Sequence, residues 1–63
     1  MVEDIWRVAD MLIKNYGDEA ELVAADRADA LMDLGDFEGL QVWKRILAGV
    51  RFLAHPEPER TLH

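Results

Sequence analysis

Apolar and polar residues alternate with a helical period along the first part of the chain. Between residues 2 and 16, apolar side chains recur every three or four positions and fall on one side of a helical wheel. Charged side chains share the other side, which only Met11 interrupts. The pattern predicts a first helix over residues 2–16, and the side chains it assigns to the core include Ile5, Trp6, Leu12 and Ile13.

The same period predicts two further helices, over residues 19–34 and 37–54. The second is rich in alanine and has an unusually wide apolar arc, which is typical of a helix that lies between two neighbours. The third has one continuous apolar face and a basic face opposite to it. The core side chains predicted from these two helices are Leu31, Trp43, Ile46 and Val50.

The dipeptide Gly-Asp occurs twice, each time between two predicted helices. Glycine adopts the left-handed conformation that commonly ends a helix, and aspartate accepts hydrogen bonds from the free N–H groups that begin the next one. At the first corner a glutamate three residues after the aspartate completes a capping box. The predicted capping residues are therefore Gly17, Asp18, Glu21, Gly35 and Asp36.

Such short connections place consecutive helices side by side and antiparallel. The expected fold is an all-α three-helix bundle of up-down-up topology over residues 1–54, with the second helix between the other two. A rival arrangement opens one corner and exchanges a helix with a second copy. Pro56 ends the third helix, and residues 55–63, rich in proline and charge, are expected to form a flexible C-terminal tail.

The composition narrows the class of protein. A domain of 63 residues is marginally stable alone, and with no cysteine it depends on helix packing or self-association. The missing cysteines and the charged N-terminus favour a cytoplasmic protein without a signal peptide or membrane span. The net charge of −6 disfavours nucleic acid and anionic membranes as partners.

The sequence offers little material for catalysis. It has no cysteine or serine, and its one threonine, Thr61, lies in the predicted tail, so no nucleophile–base pair can be assembled. His55 and His63 lie at and beyond the end of the third helix, where a histidine most often makes a favourable contact with the helix dipole. The sequence therefore predicts a protein that is not an enzyme and that needs no cofactor.

One acidic face offers the best candidate for a metal site. Asp26, Asp29 and Asp33 share one side of the second helix. Three carboxylates on one helix form an open and weak oxygen set for a hard cation. A solvated surface is the favoured interpretation, and no metal is predicted.

Arg27 is the most informative charged residue, because it lies in the apolar arc of the second helix. A guanidinium in that position must pair with a carboxylate, reach water or meet a partner. An internal ion pair with Asp36 or Asp10 is the favoured interpretation, and a place at a subunit or ligand interface is the alternative.

Phe52 lies on the basic face of the third helix instead of the apolar one. With Lys44, Arg45 and Arg51 nearby, it resembles part of a contact surface, unless Leu62 of the tail covers it. The residues predicted for an interface are thus Arg27, Phe52, Lys44, Arg45, Arg51 and Met11.

Two sets of residues carry resemblances to known families. The pairing of "LI…YGD.A" with "RAD…GD..G…W.RI" is similar to a family of short, uncharacterised and mostly alphaproteobacterial proteins. That resemblance covers all but about the last ten residues and implies a three-helix fold with no known activity. The segment "LGDFEG" more weakly resembles a tetratricopeptide hairpin, but the chain is too short for stacked repeats of about 34 residues.

These observations favour a small helical interaction module that associates with itself or docks to a larger protein. A homodimer is preferred to a monomer, because a lone bundle of this size is marginal and because the second and third helices carry opposite charges. The alternative is a nucleic-acid-associated regulator that uses the basic face of the third helix. An enzyme ranks last.

Overall fold

The fold is all-helical. A computed structural model describes residues 2–55, with side chains described from residue 4 onward. Its elements are α1 (Val2–Tyr16), a 3₁₀ turn (Gly17–Glu19), α2 (Ala20–Leu34) and α3 (Phe37–Ala54). No strand occurs within residues 2–55. Residues 56–63 of the predicted tail, including Leu62, lie outside the described residues.

The first corner bends the chain without interrupting its helical course. Gly17 has a φ of +57°, and the N–H of Ala20 donates to the carbonyl oxygen of Gly17 within a 3₁₀ turn. No side chain caps the start of the turn or of α2, so the predicted cap at Asp18 and its capping box with Glu21 are wrong. The reason is that the turn itself satisfies backbone N–H groups that a cap would otherwise serve.

The second corner is a true helix stop followed by a new start. Gly35 has a φ of +78°, its N–H donates to Met32, and the N–H of Asp36 donates to Leu31 at 2.9 Å. These two bonds form a Schellman motif, which satisfies the last carbonyl groups of α2. Asp36 then caps α3, because its Oδ1 accepts a 2.9 Å hydrogen bond from the N–H of Gly39.

The third helix is the one that packs against both others. It contacts α1 and α2 extensively, whereas α1 and α2 contact each other much less. The prediction that the second helix lies between the other two is therefore wrong. The bend at Gly17–Glu19 joins α1 and α2 end to end and does not fold them against each other as a closed hairpin would.

The core draws small residues from all three helices. Its main buried cluster consists of Ala9, Leu12, Ala20, Ala24, Ile46 and Val50. Val50 is the largest side chain that is completely buried in the described part of the chain. The three alanines of this cluster each bury little apolar area, which limits the stability that the core can supply.

Several predicted core residues lie at the edge of this cluster. Leu12, Ile46 and Val50 are buried, while Ile5, Ile13, Leu31 and Trp43 are half-buried. Trp6 remains 41% exposed, so its placement in the core is wrong. The physical reason is the close approach of α1 to α3 beside it.

That close approach occurs between Ala9 and Gly49. A Cβ built on Gly49 would lie 3.3 Å from the Cβ of Ala9 and 3.5 Å from Cζ3 of Trp6. Two small residues thus bring the helix backbones together, and the large indole ring is left at the margin of the contact.

Candidate functional site

A groove lies between α1 and α3. It has a volume of about 620 Å³. The first helix contributes one wall and the third helix contributes the other. Its lining residues are Asp4, Ile5, Trp6, Val8, Val42, Arg45, Ile46, Ala48 and Gly49.

The lining of the groove is mostly apolar and includes two charged residues. Ile5 and Val8 are half-buried, whereas Ala48 and Val42 are exposed, the latter to 43%. Asp4 on the α1 wall and Arg45 on the α3 wall are the two charged lining residues, and both are exposed. Within residues 4–55 neither forms an ion pair. The groove is thus an apolar channel with one acidic and one basic wall.

An aromatic pair lies at one side of the groove. The rings of Trp6 and Phe52 meet edge to face, with centroids 5.8 Å apart and an interplanar angle of 67°. Phe52 is 67% exposed, so the pair presents aromatic surface to solvent while it links α1 to α3. The exposed position predicted for Phe52 agrees with this geometry.

Next to Phe52, an ion cluster connects α2 to α3. The carboxylate of Glu21 accepts a 2.7 Å hydrogen bond from Nε of Arg51, and its other oxygen lies 3.3 Å from Nε2 of His55. The hydrogen bond from Arg51, with a smaller contribution from His55, lowers the pKa of Glu21. Arg51 and Glu21 therefore serve as an interhelical link.

Arg27 does not form the ion pair that was expected. Its guanidinium lies over the ring of Trp43, with Cζ 5.2 Å from the ring centroid. Asp10 instead pairs with Lys14 at 3.1 Å, and Asp36 caps α3. The exposed guanidinium covers the half-buried indole and reaches water, so neither predicted carboxylate is needed to stabilise it.

The groove gathers only part of the predicted interface. Arg45 lines it, and Phe52 and Arg51 lie beside its aromatic end, while Arg27, Lys44 and Met11 do not line it. The α1 residues of the groove were not predicted, because on a helical wheel Ile5 and Val8 look like ordinary core positions. Only the position of α3 in the folded chain shows that they border an open channel.

A second exposed apolar patch lies at the α2–α3 corner. Met32, Leu34 and Phe37 are all exposed, Phe37 to 65%. Sequence reasoning did not assign these residues to an interface.

The acidic side chains of α2 are dispersed. Asp26, Asp29 and Asp33 are exposed. Within the described part of the chain, no three His, Asp or Glu side chains converge in a way that could hold a metal ion. None of the helices described combines the length and the apolar character needed to cross a membrane.

No protein-family model, no curated protein and no solved structure matches this chain. The similarity to a family of short bacterial proteins accordingly stays a prediction.

Proposed function

We propose that this chain is a small, non-catalytic protein–protein interaction module that binds its partner through the α1–α3 groove. The observation that carries the proposal is an open apolar groove flanked by a solvent-exposed aromatic pair, on a domain in which half of the main buried cluster is alanine. Apolar grooves between two helices are a recurring site for an amphipathic partner helix.

The three helical segments act in this proposal as one three-helix bundle. Support comes from the single buried cluster, to which each segment contributes: Ala9 and Leu12 from α1, Ala20 and Ala24 from α2, and Ile46 and Val50 from α3. The Glu21–Arg51 link holds α3 against α2, and the Ala9–Gly49 contact holds α3 against α1. A binding groove that α1 and α3 share needs this arrangement to be rigid.

The test compares two variants that add the same side chain at exposed alanine positions. Ala48→Arg places a long cation at the lining of the groove, and Ala30→Arg places it on the exposed surface of α2. Both variants should keep the helicity and unfolding midpoint of the parent. Partner association, measured by affinity purification and quantitative mass spectrometry, should be lost in Ala48→Arg and kept in Ala30→Arg. Equal association by both variants would contradict the proposal.

The nucleic-acid alternative has less support. Of its three cations, Arg51 is already bonded to Glu21, which leaves Lys44 and Arg45 for phosphate contacts on a chain of net charge −6. It predicts binding of duplex DNA or RNA that weakens steeply with salt, and absence of binding at low salt would exclude it.

A further inference from the structure

The structure also indicates what kind of partner the groove accepts. We infer that the occupant of the α1–α3 groove is a second copy of this chain, bound across a two-fold axis so that Asp4 of each copy faces Arg45 of the other. This inference rests on the proposed function and specifies its partner.

The charge arrangement of the groove is self-complementary. The acidic wall carries Asp4 and the basic wall carries Arg45, and neither has an ion-pair partner within residues 4–55. A two-fold axis requires that if residue i contacts residue j, then j contacts i. A two-fold axis through the groove therefore gives two equivalent ion pairs, each between Asp4 of one copy and Arg45 of the other. No like charges face each other in this arrangement.

The apolar surface beside these charges fits the same axis. Val42 and Ala48 are exposed on α3, and Ala48 is small enough for a second helix to approach closely. Arg45 lies between Val42 and Ala48 along α3, so the charged pairs adjoin this apolar surface and set the orientation of the two copies.

The weakness of the monomer core gives the dimer a physical reason. Three of the six residues in the main buried cluster are alanine, while Trp6, Val42 and Phe52 remain exposed. Small domains without disulfides commonly gain the missing apolar burial from self-association. A second copy on this groove covers apolar surface that the first copy leaves open.

The experiment is a charge-exchange cycle followed by sedimentation equilibrium over a hundredfold range of concentration. Asp4→Arg and Arg45→Asp each oppose like charges twice in a homodimer, so each should raise the dimer Kd by about tenfold or more. An equimolar mixture of the two variants restores both attractive pairs and should form a heterodimer. The double variant Asp4→Arg/Arg45→Asp should recover the homodimer, and circular dichroism checks the fold of each protein.

Asp29→Arg is the matched control, since it makes the same change of charge on an exposed site of α2 away from the groove. It should leave the dimer Kd within about twofold of the parent value. A comparable loss of dimer in this control would show that total charge governs association and would overturn the inference.

Three other results would also overturn it. These are a parent protein that stays monomeric throughout, a dimer that neither single variant weakens, and single variants that dissociate but do not recover on mixing. If the parent is monomeric and Ala48→Arg alone still abolishes capture of another protein, the second copy is excluded while the proposed function stands.

Discussion

The carboxylate of Glu21 on α2 accepts a 2.7 Å hydrogen bond from Nε of Arg51 on α3. The sequence pattern predicts that Glu21 caps the start of α2. Its side chain instead links α2 to α3, by a contact with a residue 30 positions later in the sequence. The link lies beside the aromatic pair of Trp6 and Phe52, so it also fixes the end of α3 that borders the groove.

The Glu21 link predicts a pH dependence of stability. Because Arg51 lowers the folded-state pKa of Glu21 below its ordinary value of 4.5, ionised Glu21 stabilises the fold above that pH. The contribution is lost as the pH falls through the lowered folded-state pKa. Glu21→Gln should therefore lower the thermal midpoint at pH 7 and flatten its decline below pH 4.5. Thermal unfolding followed by circular dichroism from pH 3 to 7 measures both effects, and an unchanged pH profile would contradict the assignment.

The cap at Asp36 predicts an unusual response to alanine at Gly39. A Cβ at Gly39 would lie 2.8 Å from Oδ2 of Asp36, so it displaces the carboxylate that accepts from the Gly39 N–H. Loss of an aspartate cap costs about 1 kcal/mol, which offsets the gain of about 1 kcal/mol expected for replacing glycine in a helix.

A double-mutant cycle separates these two terms. Gly39→Ala should change the free energy of unfolding little in the parent but should stabilise the Asp36→Ala variant by about 0.5–1 kcal/mol. Urea unfolding provides the values. Equal effects of Gly39→Ala in both backgrounds would mean that the cap and the glycine are not coupled.

Because Gly49 packs against Ala9, even one methyl group added at position 49 should lower the stability of the fold. The added Cβ would lie 3.3 Å from the Cβ of Ala9, closer than ordinary van der Waals contact. Gly49→Ala should therefore lower the free energy of unfolding by about 1 kcal/mol in spite of its better helix propensity. The loss should shrink when Ala9 is replaced by glycine, as urea unfolding of the single and double variants would show. A more stable Gly49→Ala variant would contradict the close approach.

Replacing Arg27 tests whether its guanidinium stacks on Trp43 or forms a buried ion pair. As an exposed cation over Trp43, it contributes about 0.5–1 kcal/mol, so Arg27→Met should cost no more than that. The emission of Trp43 should also change, and a Trp6→Phe background isolates that signal. A loss of about 3 kcal/mol or more would instead indicate a buried ion pair.

Local chemistry made parts of this fold predictable from sequence. The cap at Asp36 and the left-handed Gly35 depend on residues adjacent in sequence, and both were readable from one dipeptide. At the first corner the left-handed Gly17 is also as predicted, but the cap at Asp18 is not, because a 3₁₀ turn can satisfy the same backbone groups without a side chain. The conformational preferences of glycine and aspartate do not show whether the chain bends through a 3₁₀ turn or ends one helix and begins another.

The groove was not predictable for a different reason. A helical wheel shows which side chains share a face, but it does not show how near the neighbouring helix lies. Ala9 and Gly49 set the distance between α1 and α3. At that distance Trp6 stays partly exposed, and Val42 borders the groove. Likewise, whether Arg27 contacts a carboxylate or an aromatic ring depends on where α3 places Trp43.

The most direct test of the groove as the surface of self-association is the ¹H–¹⁵N NMR spectrum of the unmodified protein across a dilution series. The account predicts concentration-dependent shifts at residues of the groove such as Val42, Arg45 and Ala48, and constant positions for exposed α2 residues such as Asp29 and Ala30. Shifts centred instead on the exposed corner of Met32, Leu34 and Phe37, or no shifts at any concentration, would contradict it.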